Sequence, residues 1–141
     1  KKKIEMSTKI EIYNPEKLGS PLGLYKHMTR VKASEFLFLA GQLSVDNSGN
    51  IIGKNDFEEQ MKQVFSNIRE ALQSAGTDFK DVIKFTTFLK NEANIEDFMR
   101  IRENLFSEFF KTKEFPPNTL LVVSRLVHES FLIEVETIAA L

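Results

Sequence analysis

The sequence predicts an α+β domain, a mixed β-sheet with two helices packed on one face. Three observations predict it. Two stretches repeat apolar residues at helical spacing between a capping residue and a stop signal. Other stretches alternate, or run apolar and β-branched over strand lengths. Their order is strand, strand, helix, strand, helix, strand, strand, which leaves too few helices to cover both sheet faces. At 141 residues the chain has the length of one domain.

The chain opens polar, and Asn14-Pro15 is a turn signal. Residues 19–23 read as a loop. From Leu24 the pattern alternates, with Tyr25, His27, Thr29 and Val31 on one face and Leu24, Met28 and Arg30 on the other. After a turn at residues 32–34, residues 36–40 form a second strand, apolar on both faces. Gly41 ends it. A missing Cβ there marks either a close approach by a neighbour or ligand, or a plain bulge. Residues 46–50 are a turn, and Ile51 and Ile52 form a short strand.

Asp56 is the predicted N-cap of the first helix, with Glu59 as its reciprocal partner. Phe57, Met61, Val64, Phe65, Ile68 and Leu72 form its buried stripe, and Gly76 its C′ stop. Residues 82–90 are a strand with Ile83, Phe85, Thr87 and Leu89 on one face. Asn94 caps the second helix, whose stripe is Phe98, Ile101, Leu105, Phe109 and Phe110. Arg100 and Arg102 read as its solvated face, and Pro116-Pro117 forbids its continuation. The apolar runs 119–126 and 131–138 flank a short polar turn and read as a hairpin. Glu134 and Glu136 share one face of the second run, which is either a wet face or a site. Residues 36–39 and 120–123 are apolar in consecutive positions, so both sheet faces carry apolar side chains. The helix-free face is expected to be buried against copies of the chain.

Composition excludes several classes. Lys+Arg 19 against Asp+Glu 20 gives a net charge of −1, with no electrostatic footprint for nucleic acid or an anionic membrane. With Cys 0 there is neither a disulfide nor a thiolate nucleophile. His27 and His128 are far apart in sequence, so no metal site is expected. No apolar run is long enough to span a membrane. No apolar core of a signal peptide follows Lys1–Lys3, so a cytoplasmic location is expected. Met6 reads as a candidate start, with residues 1–5 upstream of it.

Five pieces recur in one order: G-L-Y-K-H at residues 23–27, F-L-A-G-Q at 38–42, F-L-K at 88–90, F-P-P-N-T at 115–119 and I-E-V-E-T-I-A at 133–139. Together they resemble the RidA/YjgF family, also labelled endoribonuclease L-PSP, over nearly the whole chain from Tyr13. The resemblance implies a chorismate-mutase-like domain over residues 13–141, with residues 1–12 as an N-terminal extension or first edge strand. It implies a homotrimer with ligand clefts between subunits and no cofactor. Enzymes of this kind hydrolyse reactive 2-imino acids, or their enamine tautomers, to 2-keto acids and ammonia. In them an arginine of the F-P-x-R motif grips the substrate carboxylate, because a guanidinium presents a planar, permanently charged fork. A glutamate of the last strand positions the attacking water. An early tyrosine and the glycine after the second strand line the cleft.

Carried onto this chain, Tyr25, Gly41 and Glu134 match, with Glu134 as the catalytic position. The arginine does not match, because its position holds Asn118. Asn118 donates a neutral hydrogen bond but supplies no charge. Leu120 is expected to line the same cleft as Asn118 and make it more apolar. Arg125 lies an odd number of residues on, so it is no obvious substitute. His27 is either a cleft residue or an ordinary hydrogen-bonded histidine. The expected function is therefore a RidA-family protein that binds a small metabolite in an intersubunit cleft and lacks the 2-imino acid deaminase activity. The alternative is a slower imine or enamine deaminase. A third, RNA cleavage, is opposed by the near-neutral charge.

Overall fold

The structure, a computed structural model, describes residues 7–141. The candidate start Met6 and the segment before it lie outside the described residues. The elements are β1 (Lys9–Tyr13), β2 (Met28–Lys32), β3 (Phe36–Gln42), α1 (Phe57–Ser74), β4 (Val82–Leu89), α2 (Ile95–Phe109), β5 (Asn118–Val122) and β6 (Ile133–Ala140). β1 precedes the predicted series and pairs antiparallel with β2 as a two-stranded ribbon. The other strands form a mixed sheet in the order β3-β6-β4-β5.

That order corrects the hairpin expected at the C-terminus. β5 and β6 do not pair with each other. β4 lies between them, parallel to β5 and antiparallel to β6. Both runs carry strand-like side chains, but periodicity cannot say which strand becomes the neighbour. The parallel pair is joined through α2, as parallel strands require.

α1 forms where its signals lie. The Asp56 side chain accepts from the Glu59 backbone N–H at 3.0 Å. The reciprocal bond is absent, because the Asp56 N–H donates to the Gly53 carbonyl at 2.9 Å. At the far end Gly76 adopts φ +81°. Its N–H reaches the Gln73 carbonyl and that of Thr77 reaches Leu72, closing a Schellman motif. The predicted stripe of α1 is buried, and a polar residue, Gln60, is buried with it. Gln60 Nε2 donates to the carbonyls of Gly53 (3.1 Å) and Ser130 (2.8 Å), and Oε1 accepts from Leu132 N–H (2.8 Å). One buried amide thus fixes the entry into β6.

Two expectations about strand faces shift. β4 carries an irregularity between Val82 and Lys84, so Val82 turns inward and Ile83 is only half-buried, while Phe85, Thr87 and Leu89 stay buried. β3 runs on through Gly41 to Gln42 across a bulge instead of ending at the glycine. On α2, Asn94 occupies the cap position without making a side-chain cap bond. The larger correction there is Arg102. It is not on a solvated face but 1% exposed, at helical spacing between the buried Phe98 and Phe106. The core holds both helix stripes against Phe85, Leu89, Ile133, Val135 and Ala139. Its centre is an aromatic cluster in which Phe65, Phe85, Phe106, Phe110 and Phe115 meet edge-on or tilted.

Candidate ligand site

Glu134 follows Ile133 at the start of β6, and side-chain alternation turns it away from the helix layer. The β3 bulge brings Gly41 against it. A Cβ at position 41 would overlap the Glu134 carboxylate, so the glycine is what makes the contact possible. Burial, and secondarily Glu136, raise the Glu134 carboxyl above its usual range. Glu134 and Glu136 border an open cavity of about 350 Å³ with Phe88, Val123 and Arg125. Arg125 lies beyond β5, so the strand-parity argument against it does not apply. It nevertheless turns back on the chain, donating from Nε to the Leu126 carbonyl at 3.2 Å.

Asn118 and Leu120 lie elsewhere. Asn118 is in register with Phe85 of β4, whereas Glu134 is in register with Phe88. An odd step along β4 separates those partners, so within one chain Asn118 and Glu134 occupy opposite faces of the sheet. The Asn118 carbonyl oxygen accepts from Thr87 Oγ1 at 2.8 Å on the helix-covered face. Leu120 packs against the core on that same face.

Tyr25 sits in the loop before β2. The loop is fastened by Lys26 N–H to the Phe115 carbonyl (3.1 Å) and by His27, whose Nε2–H donates to the Gly19 carbonyl (2.7 Å). His27 thus makes a hydrogen bond within its own loop. Beneath this loop lies the residue that sequence reasoning missed. The Arg102 guanidinium stacks over the rings of Phe98 (5.0 Å) and Phe106 (5.9 Å). Its Nη2 reaches only the Met99 sulfur (3.0 Å), and its Nε has no partner. Gly23 lies so close that a Cβ would overlap Nη2. Burial lowers the guanidinium to about 10, partly offset by Tyr25, so it stays charged at neutral pH. The available signal was its spacing, four residues from Phe98 and four from Phe106. Among the described residues no acidic cluster is placed to hold a metal.

The Endoribonuclease L-PSP family profile matches residues 18–141. The chain belongs to the RidA/YjgF family. A RutC family protein of Pyrococcus abyssi is 37% identical over 129 residues, covering 92% of this chain and 95% of that one. The human 2-iminobutanoate/2-iminopropanoate deaminase is 30% identical over 128 residues, covering 91% and 88%. The crystal structure of YyfB of Yersinia pestis, a conserved Rid family protein, superposes with a TM-score of 0.82 at 26% identity, covering 94% and 98%. The observed mixed sheet with two helices is thus the chorismate-mutase-like fold of Rid proteins. In this chain Gly41 and Glu134 form a touching pair, and position 118 holds an asparagine.

Proposed function

We propose that this RidA-family chain binds a small metabolite in clefts between copies of itself, as a homotrimer. We further propose that it lacks the 2-imino acid deaminase activity because Asn118 stands where the carboxylate-gripping arginine would. One observation carries the reading. Asn118 and Glu134 occupy opposite faces of one sheet, so a single chain cannot close both around one small ligand. Juxtaposing a second copy can. Two features support such an assembly. β5, which carries Asn118, is an edge strand with unpaired backbone groups. The helix-free face exposes Phe36 at 47%, Phe38 at 76% and Leu121 at 43%, a cost that association would relieve.

A second reading, a slower imine or enamine deaminase, is favoured by Glu134. A half-buried carboxyl held above its usual range is suited to orienting a water and taking its proton. The RNA-cleaving reading has no comparable support, since a net charge of −1 supplies no overall attraction for phosphates.

Sedimentation at micromolar concentration, paired with native mass spectrometry, tests the proposal. The expected result is a trimer carrying a small-molecule adduct. A monomer would remove the cleft, and the function with it.

A further inference from the structure

The ribbon of β1 and β2 has two unlike faces. Lys9 and Glu11 of β1 stand with Arg30 and Lys32 of β2 on the outer one. Ile10 and Ile12 alternate to the inner one, toward the body of the domain. Inward-facing isoleucines are normally buried, yet both are only half-buried. The reason is a cavity of about 390 Å³ between the ribbon and the domain, within the size range of small-molecule sites. Val82, at the start of β4, and Phe109 and Phe110, at the end of α2, form its other apolar walls. Phe109 is also only half-buried, although Phe79 stacks on it at 4.0 Å.

Two lysines border this apolar space. Lys80 comes from the turn Phe79–Asp81 before β4, and Lys111 from the loop after α2. Neither forms an ion pair among the described residues. The neighbouring acids are engaged elsewhere. Asp78 pairs with Arg69 (3.3 Å), and Asp81 accepts from Thr77 Oγ1. Glu114, the carboxylate that borders the cavity, lies 3.9 Å from Lys26 Nζ. The partial negative end of α2 offsets part of the Lys111 charge, so Lys80 is the stronger anchor for an anion. Lysine is a compact point charge on a flexible stem, suited to a phosphate dianion, whereas it offers no planar fork.

The cavity is separate from the Gly41–Glu134 pair. Glu134 is in register with Phe88 near the far end of β4 and lies on the helix-free face, while Val82 opens that strand and turns inward. Six residues of strand, about 20 Å, and the thickness of the sheet lie between them.

We propose that this cavity is a second binding site, which takes a small phosphate monoester of an apolar alcohol. The apolar body lies between Ile10, Ile12 and Phe109, and the phosphate meets Lys80 and Lys111 at the border. The site is built within one chain and needs neither the trimer nor position 118.

NMR titration of the isoleucine-methyl-labelled full chain tests the assignment, with phenyl phosphate as probe and phenol and inorganic phosphate as its two halves. Phenyl phosphate should shift the Ile10 and Ile12 methyl signals saturably. Inorganic phosphate, which lacks the buried ring, should bind at least about tenfold more weakly. Phenol, which lacks the charge, should bind about fivefold more weakly. Lys80→Met combined with Lys111→Met should reduce phenyl phosphate to the level of phenol and leave phenol unchanged. Ile12→Phe, which fills the cavity, should abolish binding of phenyl phosphate. Both lysines are exposed, so their double variant folds and decides the matter even if Ile12→Phe does not fold. The assignment is overturned if no methyl shift saturates below about 10 mM probe, a threshold weaker than metabolite affinities. It is equally overturned if the shifts centre on Gly41, or if inorganic phosphate binds as well as phenyl phosphate, which would mean adventitious anion binding at surface lysines.

Discussion

An alanine at position 41 would drive its methyl group into the Glu134 carboxylate. The obstacle is a flexible side chain, so the protein should still fold, at a rotamer cost of about 0.5–1.5 kcal/mol. The carboxylate would be displaced, and metabolite binding should fall at least about tenfold, read by calorimetry. Glu134 also imposes a pH signature. Its folded-state pKa is raised, so the folded chain holds that proton more tightly than the unfolded chain does. Stability should fall as pH rises from the ordinary value of 4.5 through the raised one. Glu134→Gln removes this dependence. The variant should gain melting temperature over the parent at neutral pH and lose that advantage in acid. Arg102→Met should also raise the melting temperature of the ligand-free protein, since it replaces an unpaired buried charge with an apolar chain of similar length. A fall would mean that the stacked guanidinium is itself a stabilising element. The Gly41–Glu134 pair was half legible in the sequence. Both residues stood out, but their contact depends on a bulge that no local pattern announces. Arg102 was hidden by its charge, because a lone arginine on a helix is usually solvated, and only its spacing from Phe98 and Phe106 spoke otherwise.

Among the elements, α1 was read almost completely, because cap, stripe and stop are local signals written in consecutive residues. Gln60 escaped that reading. Its partners at Ser130 and Leu132 are distant in sequence, and a polar residue on a helix face signals solvent by default. Gln60→Leu should cost about 2–4 kcal/mol, since it strands the Leu132 N–H and two carbonyls in the interior. The urea midpoint reports that loss, and an unchanged midpoint would mean that water takes over those bonds. Gly76→Ala should cost about 1 kcal/mol by the same measurement, because alanine is strained at φ +81°. The β5–β6 pairing was the least legible element. Two apolar runs joined by a short polar turn read locally as a hairpin, although the turn is not one of the tight two-residue types. The insertion of β4 between them is decided by α2 carrying the chain back parallel to β4, a tertiary event.

For the whole molecule, the fold class followed from element order alone, whereas assembly is a proposal from surface chemistry. Phe38 is 76% exposed on the helix-free face, and Phe38→Glu should shift the sedimenting species from trimer towards monomer. An unchanged trimer would place the interface elsewhere. In the proposed reading the function turns on position 118. Losing a buried charge-assisted contact costs about 2–5 kcal/mol, so a chain with asparagine there should be slow on anionic imines. The deciding measurement is ammonia release from freshly generated 2-iminopropanoate, with the human deaminase that shares 30% identity as control. The account predicts a rate at least about 100-fold below the control, close to buffer alone. A rate comparable to the control would contradict it, and would mean that Asn118 is no obstacle to imine hydrolysis.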